Sequence, residues 1–140
     1  MRTATFPGKF ENLAKICKFV VQAAEDAGLN DSAVYAVELA VDEACTNIIE
    51  HAYGGEGRGD IECSCRIDDK GLAVILRDRG RPFDPKKVRD PKINARLADI
   101  KPGGAGLFLI RKMMDEVKFE FSDKKGNILT MVKYKNKHKK

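Results

Sequence analysis

Glu43, Asn47 and His51 follow one another at four-residue steps within the run ELAVDEACTNIIEHAY, Glu38 to Tyr53. On a helix that spacing puts a carboxylate, a neutral amide and an imidazole along one stripe. Amide and carboxylate oxygens suit a hard cation such as Mg²⁺, and a nearby carboxylate can draw a proton from an attacking water or hydroxyl. The same residues also fit a plain solvated helix face, and by themselves they leave both readings open.

Two further segments carry chemistry of their own. Asp78 ends an apolar run and is followed by Arg79, Gly80, Arg81, Pro82, Phe83 and Asp84. A carboxylate held at a strand end can accept a hydrogen bond from an exocyclic amine such as that of adenine, and Gly80 lets a base approach the backbone. Taken alone, an aspartate beside a turn is ordinary. Gly103-Gly104-Ala105-Gly106 leads directly into LFLIRKMM. The free N–H groups and positive dipole end of a helix suit a phosphate chain, and glycines clear side chains from its path. No Gly-Lys-Ser/Thr follows, so this is not a Walker A loop, and alone it fits a tight turn equally well.

The elements that must position these residues can be read from periodicity. Val34, Val37, Val41, Ala44, Cys45, Ile48, Ile49 and Ala52 recur at helical spacing and predict a core-facing arc on the helix that carries Glu43 and Asn47. Ala36 and Ala40 fall on the opposite side with Glu43 and Asn47. They are too small to serve solubility, which suggests the wall of a cleft. Asn30, Asp31 and Ser32 each offer an N-cap oxygen for this helix, and Gly54-Gly55 ends it. An earlier helix runs from Phe10 through Leu13, Cys17, Val20, Val21 and Ala24 to a stop at Gly28.

Residues Arg2 to Phe6 predict a short strand that Pro7-Gly8 ends. Ile61, Cys63, Cys65 and Ile67 alternate with polar residues, and Asp68-Asp69-Lys70-Gly71 turns the chain into the central strand LAVILRD. Val117, Phe119 and Phe121 alternate again, and ILTMVKY closes the sheet. Hairpins with helices grouped around them predict an α+β two-layer sandwich, a mixed but mainly antiparallel sheet with helices on one face.

The composition narrows the function classes. The 140 residues fit one domain. Twenty-six Lys and Arg against 21 Asp and Glu give +5, but five lysines fall in the last eight residues, so the body is close to neutral. That balance does not argue for nucleic acid, and the tail offers only Tyr134 for stacking. Long apolar segments and a signal-like start are absent, which predicts a cytoplasmic protein away from the membrane. The cysteines, Cys17, Cys45, Cys63 and Cys65, lie on apolar stripes and predict buried thiols rather than a metal site.

Read together, Glu43-x-x-x-Asn47-x-x-x-His51-Ala-Tyr, Asp78-x-Gly80-x-Pro-Phe-Asp84-Pro and Gly103-Gly-Ala-Gly106-Leu resemble the N, G1 and G2 boxes of the ATPase fold shared by histidine kinases, gyrase B, Hsp90 and MutL. The length, the HAY ending and PFDP look most like the bacterial anti-sigma-factor serine/threonine kinases of partner switching. The resemblance implies a Bergerat-type fold over residues 1–134, with a lid at about 80–103 that is short for the superfamily and a basic tail at 135–140. It implies that Glu43 polarises or deprotonates a substrate serine or threonine hydroxyl, and that Asn47 ligates the Mg²⁺ of a bound ATP. Asp78, with Gly80 beside it, would take the adenine amine. Gly103, Gly104, Ala105 and Gly106 would surround the phosphates, with His51, Phe83 and Leu107 shaping the site.

Thr130 matches a position where the family places a hydroxyl near adenine through water. Pro82 stands where many members have a second glycine. In the lid, Lys86, Lys87, Arg89, Arg96 and Lys101 are either charge-compensating groups or ordinary loop residues. The partners implied are a sigma factor, an antagonist protein of the STAS type and a second copy of the chain, with ATP, ADP and Mg²⁺ as cofactors. The alternative is a nucleotide-binding switch that controls a phosphatase or another partner without phosphorylating it.

Overall fold

The computed structural model describes residues 1–82 and 104–135. The elements run β1 (Arg2–Pro7), a 3₁₀ turn (Phe10–Asn12), α1 (Leu13–Asp26), α2 (Asp31–Asn47) and a π-helical turn (Ile48–Ala52). There follow β2 (Asp60–Asp68), β3 (Gly71–Asp78), α3 (Gly104–Met113), β4 (Glu116–Ser122) and β5 (Gly126–Tyr134). The five strands lie in the order β1-β2-β3-β5-β4, and every pairing is antiparallel. The parallel component allowed for by a mixed sheet is therefore absent among the described residues.

Period-two alternation sorts the strands into two faces. Ile61, Cys63, Leu72, Val74, Leu76, Leu129 and Met131 point into the core beneath the helices, and Phe6, Val117 and Phe119 pack at its margin. Cys17, Cys45, Cys63 and Cys65 are all buried, as their apolar stripes predict. Asp68 shapes the β2–β3 turn by accepting from the N–H groups of Lys70 and Gly71 at 2.8 and 3.2 Å. Such an Asx turn sets the hairpin register.

Of the three candidate caps for α2, Asn30 is the one used: its side chain accepts from the Ala33 N–H at 2.8 Å. Gly28 ends α1 with φ +85°, a backbone region that favours glycine. Helix α2 buries more than the expected arc. Ala36 and Ala40 are buried too, with Ala40 inside the core. Their small size serves close packing rather than an open cleft wall, since both α1 and α3 lie against α2.

Candidate functional site

The carboxyl end of α2 meets the amino end of α3 at Gly106. A Cβ built on Gly106 would fall 2.8 Å from Asn47 Nδ2, 3.1 Å from Glu43 Oε2 and 3.4 Å from Asn47 Oδ1. The carboxylate and the amide thus converge on one point beside the first turn of α3, with glycine leaving the space between. The N–H groups of that turn have no partner within the helix and carry its positive dipole end. Burial pushes the Glu43 carboxyl above the ordinary glutamate range, and the Asp42 and Glu50 charges push it the same way. A carboxylate raised in this manner is a stronger proton acceptor.

His51 leaves the stripe. Beyond Asn47 the helix widens: the Tyr53 N–H bonds to the carbonyl of Ile48, five residues back, at 2.9 Å, and the Gly55 N–H reaches Ile49 at 2.8 Å. In such a turn a four-residue step no longer returns a side chain to the same line. The His51 ring is exposed with its Nε2 3.9 Å from Glu50 Oε1, so it joins Glu50 rather than Glu43 and Asn47. What His51 gives to the site is its carbonyl, which accepts from Arg81 Nη2 at 2.6 Å.

The second cluster forms at the ends of β3 and β5. Asp78 is 4% exposed, and its Oδ1 accepts from the Gly80 N–H at 2.8 Å and from Asn127 Nδ2 at 2.9 Å. Burial pushes its carboxyl above the ordinary aspartate range, and the two hydrogen bonds pull the other way without cancelling the shift. Among the described residues Oδ2 has no hydrogen-bond partner, which leaves it as the acceptor for an incoming donor.

Gly80 is also needed for a close approach between backbone segments. A Cβ there would lie 2.5 Å from the carbonyl carbon and oxygen of Ala52, and the Arg81 N–H donates to that oxygen at 2.8 Å. The segment after β3 is thereby laid directly on the π turn that follows Asn47.

The register moves the expected hydroxyl off the site. Thr130 pairs with Ile75 and alternates with the core residues Leu129 and Met131, so it lies on the far face of the sheet. Asn127 sits opposite Asp78 instead. Its Nδ2 also donates to the Arg81 carbonyl at 2.8 Å. Period-two counting back from Leu129 would have put Asn127 on the Asp78 face, and that signal was present in the sequence.

Tyr53 is the other residue that motif reading left without a role. Its hydroxyl donates to the Asp60 carbonyl at 2.6 Å and accepts from the Arg79 N–H at 2.9 Å. Burial pushes its phenol upward. Gly59 must be glycine here, because a Cβ would stand 2.3 Å from the Tyr53 ring.

Leu107 is buried, and Gly104 and Ala105 lie in the first turn of α3. Phe83, Gly103, the remaining lid positions and the tail beyond Lys135 fall outside the described residues. Hard oxygen donors beside helix N–H groups at one end, and an acceptor carboxylate at the other, fit a magnesium nucleotide.

A family model described as "Histidine kinase-like ATPase domain" matches residues 6–133. The chain belongs to the histidine kinase-like ATPase family. Within that family it is similar to the serine-protein kinase RsbW of Halalkalibacterium halodurans, 34% identical over 134 residues, covering 93% of this chain and 80% of that protein. RsbW of Listeria innocua is 33% identical over 117 residues, covering 81% and 73%. The catalytic domain of the histidine kinase ThkA shares the fold at 15% identity, with a TM-score of 0.55 over 96% of this chain and 98% of that one. Among the described residues no helix is long and apolar enough to cross a membrane.

Proposed function

We propose that this histidine kinase-like ATPase is an ATP- and Mg²⁺-dependent serine/threonine protein kinase. In this reading it acts as an anti-sigma factor in the cytoplasm. It phosphorylates a STAS-type antagonist, sequesters a sigma factor and works as a homodimer. The observation that carries the proposal is the convergence of Glu43 and Asn47 on Gly106 at the amino end of α3. The kinase name of relatives that align with 93% and 81% of the chain supports it.

Bound Mg²⁺·ATP supplies the phosphoryl group and part of the charge compensation. The Asn47 amide oxygen would hold the cation, and the first-turn N–H groups of α3, at Gly104, Ala105 and Gly106, would take phosphate oxygens. Asp78 Oδ2 would accept the adenine amine. Glu43, already raised by burial, would orient the substrate hydroxyl and receive its proton as the oxygen takes the γ-phosphoryl group and ADP leaves. Positioning and charge neutralisation account for most of the rate in such a transfer.

Calorimetric titration with ATP, with and without Mg²⁺, tests the site, and transfer of labelled phosphate to antagonist-type proteins tests the reaction. Magnesium-dependent binding with labelled serine or threonine is expected, and Asn47→Ala should abolish turnover while the protein stays folded. Retained turnover in that variant refutes the assignment. Binding with no transfer to any antagonist favours a nucleotide-binding switch.

A further inference from the structure

We infer that Arg81 is a positioning residue for the cation: it clasps the end of the π turn and so holds the Asn47 amide where Mg²⁺ needs it. The inference rests on the nucleotide-site reading above.

Asn47 stands where the helix changes step. The Ile48 N–H still bonds to the Ala44 carbonyl, four residues back, whereas the Tyr53 N–H reaches five back, to Ile48. A five-residue step is rare, and the last carbonyls of any helix have no partner within it. Here two successive carbonyls at the end of the turn are met by one remote residue. Arg81 Nη2 donates to the His51 carbonyl at 2.6 Å, and the Arg81 N–H donates to the Ala52 carbonyl at 2.8 Å. Gly80 lies so close to the Ala52 backbone that a Cβ there would collide with it, which leaves the clasp little slack. Among the described residues no carboxylate pairs with the Arg81 guanidinium. Its charge is directed at the turn, a cation at the negative end of a helix dipole.

Without the guanidinium the turn is free to relax toward the ordinary α step. Asn47 immediately precedes it, so the aim of its amide shifts first, while Glu43, a full turn earlier in regular α2, stays in place. Mg²⁺ tolerates such a shift poorly, because it demands near-ideal octahedral ligand geometry. Arg81 therefore governs the magnesium requirement rather than nucleotide binding as such. Charge alone predicts the opposite sign: a guanidinium repels a divalent cation, and its removal would tighten Mg²⁺.

The test is calorimetric titration with ATP across a series of Mg²⁺ concentrations, for the wild type, Arg81→Met, Arg81→Lys and the control Arg58→Met. Arg58 donates to the next carbonyl along, that of Tyr53, at 3.5 Å, so the control removes the same charge without opening the clasp. Arg81→Met should raise the Mg²⁺ concentration of half-maximal effect about tenfold, the scale of one lost hydrogen bond to a charged group. Its affinity for magnesium-free ATP should not change. Arg81→Lys, a point charge without the planar fork, should fall between, and Arg58→Met should match the wild type. In the wild type, the Arg81 backbone amide resonance should shift when Mg²⁺ joins bound ATP, since coupling between two sites is reciprocal.

An unchanged or lower magnesium requirement in folded Arg81→Met overturns the inference and leaves the nucleotide site standing. An equal loss of affinity with and without Mg²⁺ also overturns it, by putting the guanidinium on the nucleotide itself. A rise of the same size in Arg58→Met does so by making charge, not the clasp, the cause. An Arg81 amide resonance that ignores Mg²⁺ overturns it even where a variant fails to fold. A wild type whose ATP binding is indifferent to Mg²⁺ overturns the nucleotide-site reading as well.

Discussion

Replacing Gly106 by alanine separates the site from the fold. The new Cβ would stand 2.8 Å from Asn47 Nδ2 and 3.1 Å from Glu43 Oε2. The first contact is about half an ångström inside ordinary van der Waals separation. Both neighbours are side-chain ends, so they can swing aside; an off-rotamer shift of that kind costs about 0.5–1.5 kcal/mol. Alanine in a helix returns up to about 1 kcal/mol relative to glycine, less in a first turn. The two effects nearly cancel, and the net change in stability should stay within about 1 kcal/mol, a shift of a few degrees in melting temperature.

In the proposed mechanism, catalysis has no such compensation. Moving the oxygens of Asn47 and Glu43 by a sizeable fraction of an ångström is expected to cost about 100-fold in turnover. Thermal unfolding followed by circular dichroism, together with phosphate transfer from labelled ATP, measures both quantities on one sample. Turnover at the wild-type level would refute the argument, because the two side chains would then not act where they meet α3. A collapse of stability would refute it differently, by showing that their displacement is not cheap.

The opposite result is expected for Gly80→Ala. Its Cβ would collide with the Ala52 carbonyl at 2.5 Å, and a backbone group cannot step aside. A loss of about 1–3 kcal/mol in denaturant unfolding follows, and an unchanged midpoint would count against the packing described. Asp78→Asn keeps the shape and both accepted hydrogen bonds but removes a carboxyl raised by burial. A raised acid stabilises the fold below its unfolded value, about 3.9, and that contribution is lost as the pH climbs through the folded value. The variant should therefore be at least as stable as wild type at neutral pH, with the gap closing as the pH falls toward 4, while binding ATP more weakly. A gap that widens in acid would show the sign to be wrong. Tyr53→Phe leaves the Asp60 carbonyl and the Arg79 N–H without their shared hydroxyl. It should cost about 1–2 kcal/mol in unfolding free energy, and a neutral effect would mean that water replaces the hydroxyl without loss.

Much of this architecture was legible because local rules and burial agree. The alternation in β2 and β3 gave the hairpin, since the side-chain period of a strand is fixed at two and one face is covered. Gly28 and Asn30 marked a helix end and a helix start, because few residues satisfy those backbone positions. Glu43 and Asn47 were recognisable because one helical step of four keeps two side chains adjacent. His51 broke that rule for a reason no spacing reveals: the hydrogen-bond step changes from four residues to five after Asn47.

By itself, then, the chain determined its sheet-and-helix order, its core stripes and the pairing of Glu43 with Asn47, all of which depend on neighbours along the sequence. Three matters were decided only in three dimensions. Helix α2 packs against both α1 and α3, so the small residues Ala36 and Ala40 that looked like a cleft wall became buried contact. The register of β5 on β3 put Asn127, not Thr130, across from Asp78. Gly80 came to lie directly against the Ala52 backbone. Each depends on which remote backbone arrives beside a residue, and sequence spacing carries no record of that distance.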